Sequence, residues 1–112
     1  MTHREESVRP SGVTAFATRH LVITVVGTLD DVTVGDIVRI ARDNITAETD
    51  VLTLDLANTD AVSDAAATQL LDLADDLGAR HVPTHVRVPA GGNPHLETAA
   101  ARGRVHIALG LR

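Results

Sequence analysis

Residues 51–78 read VLTLDLANTDAVSDAAATQLLDLADDLG, and the change of period inside this stretch decides the fold. Val51-Leu52-Thr53-Leu54-Asp55-Leu56 is a run of strand length, rich in branched side chains, with the pattern of a strand buried on both faces. Ala57-Asn58-Thr59-Asp60 is turn chemistry, because Asn and Asp side chains bond their own backbone. From Asp64 the period becomes helical. Ala67, Leu70, Leu71, Ala74 and Leu77 line one side, and Thr68, Asp72, Asp75 and Asp76 take the other. Gly78 suits the helix stop. A buried strand thus runs through a polar turn into an amphipathic helix. The turn lies at the carboxyl end of the strand, the edge where open α/β sheets usually carry their sites.

The flanks repeat this alternation. The strongest strand signal is 21–26, an unbroken β-branched run, and a weaker edge strand is expected at 13–18 with Arg19-His20 as a tight connection. Gly27-Thr28-Leu29-Asp30-Asp31 ends the strong strand. A helix over 33–46 follows, with Thr33 and Asp36 as a variant capping box and Val34, Ile37, Val38, Ala41 and Ile45 on one face. After the central helix, Val82, Val86 and Val88 mark another strand, placed at an edge or a strand start by Pro83. Asn93-Pro94 opens a helix over 94–102, with Gly103 at its stop, and 105–109 is a last short strand. The expected fold class is α/β: a mixed four- to five-stranded sheet with βα windings, antiparallel at its first hairpin, then parallel with right-handed crossovers. Residues 1–11 read as a flexible N-terminal tail and 12–112 as one domain.

Composition removes several function classes. The chain has 112 residues, enough for one core, and no Cys, so neither disulfides nor thiol chemistry is expected. MTHREESVRP has no apolar segment of signal-peptide type, and no run approaches a membrane span, so the expected location is the cytoplasm, without membrane insertion. Net charge is −5 and Phe16 is the sole aromatic residue, which leaves little for phosphate contacts or base stacking; no nucleic-acid partner is expected. The histidines read as scattered surface residues and no metal is expected. His81 and His85 share strand parity, but four residues of strand span about 13 Å, too far for one ion. His20, His95 and His106 have no near ligand neighbours in sequence.

Three pieces between about 13 and 109 together resemble the STAS domain of bacterial anti-sigma-factor antagonists. They are an apolar strand ending Gly27-Thr28-Leu29-Asp30, a buried strand ending Asp55-Leu56, and a motif that opens the central helix, usually Asp-Ser-Ser-Gly followed by Leu. Counted without a gap from Asp55-Leu56, that motif falls on Ser63-Asp64-Ala65-Ala66, so the family's phosphoacceptor serine is equivalent to Asp64. A one-residue shift keeps Asp64 as the aspartate and puts Ala65 at the acceptor; Leu70 and Leu71 favour the ungapped count. On either count the acceptor hydroxyl is missing, while a negative charge at a helix start is retained.

The resemblance implies a protein-binding domain in partner switching and the stress response, with an anti-sigma factor of serine-kinase fold, or another protein of such a system, as partner. The implied contact residues are Thr28, Asp30, Asp60, Ser63, Asp64, Ala65 and Thr68. Each has a plainer reading: Ser63 as an N-cap, Asp64 as a helix-start carboxylate, Asp30 as a loop residue ending a strand. The alternative function is a non-switching scaffold, stressosome component or transport-accessory module, and a small nucleotide-binding domain is a third class by analogy within the family. No enzyme activity and no cofactor are expected. Asp30, Asp31 and Asp55 resemble the acidic pocket of a response-regulator receiver, yet that chemistry and a P-loop both need a Lys, and the chain has none. No Ser sits in a nucleophile-elbow sequence either.

Overall fold

A computed structural model of the chain describes residues 5–8, 13–89 and 91–107. The elements are β1 (Glu5–Val8), β2 (Val13–Ala17), β3 (His20–Leu29), α1 (Asp31–Asn44), β4 (Val51–Val62), α2 (Asp64–Gly78), β5 (Thr84–Arg87), α3 (Pro94–Ala101) and β6 (His106–Ile107). All six strands form one sheet whose spatial order is the chain order. β1, β2 and β3 pair antiparallel, and β3 to β6 run parallel.

A sheet that winds always in one direction, with right-handed crossovers, collects its helices on one face. Burial follows that layout. Leu21, Ile23 and Val25 of β3, Leu52, Leu54 and Leu56 of β4, and Val86 of β5 are buried, and they join Val34, Ile37, Leu70, Leu73, Leu77 and Leu96 of the helices in one core. The intervening residues, Val22, Thr24, Thr53, Asp55, His85 and Arg87, are only half-buried, on the side of the sheet away from the described helices. The run 51–56 is therefore apolar toward one face alone, not both. On the open face Arg87 Nη1 donates to Asp55 Oδ2 at 3.0 Å, between register partners. His85 is held below the usual histidine range first by burial, then by the proximity of His106 and His20.

Helix boundaries follow their caps. α2 starts where Ser63 Oγ accepts from Ala66 N at 3.0 Å, and its apolar side is the expected one, extended by Ala66 and Leu73. Asn93 Oδ1 caps α3 through Leu96 N at 3.0 Å, while the Glu97 carboxylate reaches back to Asn93 N at 3.1 Å. Past α3, Gly103 (φ 78°) and Arg104 donate to Ala100 and Ala99, the paired bonds of a Schellman stop.

Five further expectations need correction. α1 begins at Asp31, not Thr33, and the Thr33–Asp36 pair is not its cap: Asp30 Oδ1 accepts from Val32 N at 3.1 Å and Thr33 N at 2.9 Å. Gly78 is the last residue of α2 and has no positive φ; the left-handed residue of that stop is His81, at φ 67°. His81 consequently lies outside β5, so it has no strand parity with His85. Glu5–Val8, expected within a flexible tail, is a strand paired with β2, its register running from Glu5 opposite Ala17 to Val8 opposite Thr14. Residues 1–4 and 9–12, and the expected strand residues 108 and 109, lie outside the described set.

The fifth correction concerns 57–60, which is strand and not turn. β4 continues to Val62 because register shifts opposite Thr24–Val26 and Gly27–Thr28 give it extra residues relative to β3. These are β-bulges, and they move the buried parity from Leu56 to Thr59. Two short side chains satisfy backbone groups there: Asp55 Oδ1 accepts from Ala57 N at 3.1 Å, and Thr59 Oγ1 donates to the Val25 carbonyl at 3.2 Å. Gly27, at φ 97°, takes a backbone conformation that a side chain would strain.

Candidate functional site

The carboxyl edge of the sheet gathers the ends of β3 and β4 and the starts of α1, α2 and α3. Thr28 stands opposite Ala61 and Leu29 opposite Val62. The Ser63 amide then donates to the Leu29 carbonyl at 3.0 Å, which holds the start of α2 against the end of β3. The Ser63 hydroxyl, already the cap of α2, also donates to Asp31 Oδ1 at 3.4 Å. The two helix starts are thereby tied to each other.

Asp64 follows in the first turn of α2, its side chain 88% exposed. Its Oδ1 lies 2.9 Å from His95 Nε2 in the first turn of α3, so the carboxylate links two helix starts. Thr68 donates its hydroxyl to the Asp64 carbonyl at 3.0 Å, the back-bond of a helical threonine. Asp30 is held below the usual carboxylate range, first by the amide and hydroxyl of Thr33 and then by the amide of Val32. That is the effect of unpaired N–H groups at a helix start.

Thr28, Asp30, Asp60, Asp64, Ala65 and Thr68 are exposed and Ser63 is half-buried. The fold brings Thr28, Asp30, Asp60, Ser63, Asp64 and Ala65 to this one edge; Thr68 sits a turn further along α2, beside a groove of about 390 Å³ shared with His95 and Arg102 of the α3 end. A second groove of about 480 Å³ runs from Asn58 and Asp60 to Gly92 and Asn93. Asp55 is not part of the edge, being held on the open face by Arg87.

Two residues join the edge that the sequence reading did not single out. Val32 is 77% exposed in the first turn of α1, next to Asp31 in sequence and with its amide bonded to Asp30. A signal was present, since Val32 falls off the apolar stripe of that helix. His95 carried no signal, because its partner Asp64 lies 31 residues away. The edge therefore carries exposed acidic side chains, Asp30, Asp60 and Asp64, together with the exposed aliphatic side chain of Val32. Among the described residues no three His, Cys, Asp or Glu side chains are placed to hold a metal ion together. Among them, too, no helix is long and apolar enough to cross a membrane.

A scan against known protein families and a search of curated proteins return no match. Solved structures do match. The crystal structure of Mglu superposes with a TM-score of 0.65 at 16% identity, over 77% of this chain and 22% of that one, so the chain spans about a fifth of Mglu. The structure of the anti-sigma factor antagonist SpoIIAA in its unphosphorylated form superposes with a TM-score of 0.62 at 12% identity, over 97% of this chain and 90% of that one. The chain has the STAS-like fold of SpoIIAA along nearly its whole length.

Proposed function

We propose that this chain is a cytoplasmic protein-docking domain acting as an anti-sigma-factor antagonist in partner switching, with no phosphoacceptor hydroxyl at the start of α2. The partner is an anti-sigma factor of serine-kinase fold or another STAS-type protein, seated on the edge formed by Thr28, Asp30, Asp60, Ser63, Asp64, Ala65 and Val32. Likeness of fold to an anti-sigma factor antagonist supports the class.

The observation that carries the mechanism is the exposed carboxylate of Asp64 in the first turn of α2, which the ungapped count of the resemblance makes equivalent to the family's acceptor serine. A phosphoserine there brings close to two negative charges to the positive end of the helix, and Asp64 brings one permanently. The adjacent hydroxyl of Ser63 is engaged as cap and as donor to Asp31, which disfavours it as a substitute acceptor. In this reading the domain is fixed in its phosphorylated-like, weakly binding state, with His95 holding the carboxylate in place.

Replacing Asp64 with Ser removes the charge and supplies the missing hydroxyl. Stability is expected to change by no more than about 1 kcal/mol, because serine is a good residue at a helix start. Affinity for an anti-sigma kinase is expected to rise by about tenfold or more, equal to about 1.4 kcal/mol, and intact mass after incubation with ATP gains one phosphate. Equal affinity of both variants, with equal thermal melts, would reduce Asp64 to helix chemistry and leave a non-switching scaffold that uses the same edge.

A further inference from the structure

The open face of the sheet carries a constellation unrelated to the carboxyl edge. His85 of β5 and His106 of β6 are register partners on neighbouring parallel strands, so both imidazoles leave the sheet on the same side. Their ring centroids lie 5.1 Å apart with planes inclined at 50°. Two imidazoles on one zinc ion have metal–nitrogen bonds of about 2.0–2.1 Å, which puts each ring centroid about 3.2 Å from the metal. At a tetrahedral angle the centroids are then about 5.2 Å apart. The pair stands at that spacing already, on a backbone fixed by the ladder.

We propose that His85 and His106 form a two-imidazole chelate for a borderline divalent transition ion such as Zn²⁺, Ni²⁺ or Cu²⁺. Nitrogen donors select these ions over Mg²⁺ and Ca²⁺, which take oxygen. No third His, Cys, Asp or Glu among the described residues completes the set, so water fills the other positions. Asp55, on the same face, is engaged by Arg87. His20 stands on β3, beyond the intervening β4, and is opposite Val51 where His85 is opposite Thr53. The ion would join β6, a strand of two residues, to β5, and so fasten the end of the sheet.

The test uses the whole chain, stripped of metal, titrated with ZnCl₂ and separately with NiCl₂ at neutral pH by calorimetry, with thermal melts alongside. Expected are one saturable site tighter than about 1 mM, a melting temperature that rises with metal, and no matching effect of MgCl₂. His85→Gln and His106→Gln should each weaken the site by about tenfold or more, while His20→Gln and His95→Gln leave it unchanged. A melt of each metal-free variant that overlays the metal-free parent shows that the loss concerns the ligand and not the fold. Absence of a saturable site, equal response to MgCl₂, or binding that survives both His85→Gln and His106→Gln would overturn the assignment.

Discussion

Asp30 and His81 show how single positions set the ends of helices in this chain. Asp30 gives its carboxylate to two first-turn amides of α1. Its folded pKa is therefore depressed below 3.8. A depressed carboxylate contributes stability above its unfolded pKa and loses that contribution as pH falls through the folded value. Asp30→Ala is thus expected to be less stable than the parent at neutral pH, with the gap narrowing as pH falls below about 4; paired denaturant titrations across pH measure this, and a gap that widens on acidification would contradict it. His81 ends α2 in the left-handed conformation, with its amide donating to Gly78 and that of Val82 to Leu77. A residue with a Cβ is strained there by about 1–2 kcal/mol relative to glycine. His81→Gly is expected to stabilise the protein by about 1 kcal/mol, read as a higher denaturation midpoint. The sequence offered Gly78 for this role and gave no reason to suspect a histidine. It also offered Thr33 and Asp36 as a cap, because spacing alone cannot tell a capping box from a helix already under way; the actual cap, Asp30, sat three residues earlier in what read as a strand-ending loop.

At the scale of elements, long amphipathic patterns were legible and irregular strands were not. The central helix has the expected bounds and apolar side because its period runs through four turns without a break. Leu70, in the middle of that side, is 1% exposed within the core. Leu70→Ala is expected to cost about 2–5 kcal/mol; a loss below about 1 kcal/mol in a urea titration would mean that the helix does not face the sheet through this residue. β4 was harder to read, because a bulge adds a residue and reverses which side chains face inward. The polar residues 57–60 suit a turn by composition, yet they remain in the ladder because Asp55 and Thr59 satisfy the backbone groups that the bulge displaces. The strand at Glu5–Val8 was illegible for a different reason. Its pairing with β2 depends on neighbours from Val8↔Thr14 out to Glu5↔Ala17 along the chain, and glutamates carry no strand signal of their own. The candidate edge was partly legible: strand ends and helix starts announce themselves through Gly, Asp and Ser, but contacts such as Asp64–His95 and His85–His106 exist only after the sheet is assembled.

For the whole molecule, the agreement of strand order with chain order has a consequence for synthesis. No strand must be inserted between two that are already paired, so each newly made segment adds to the free edge of what precedes it. At roughly 5–20 residues per second, the β2–β3 hairpin and then α1 with β4 have seconds to pair before β5 leaves the ribosome. Helix α2 can cover β4 as soon as it emerges, which shields the apolar side of the unfinished sheet. The nascent chain thus presents one growing edge at a time to its surroundings, and the short β6 pairs with β5 only after α3 has been made.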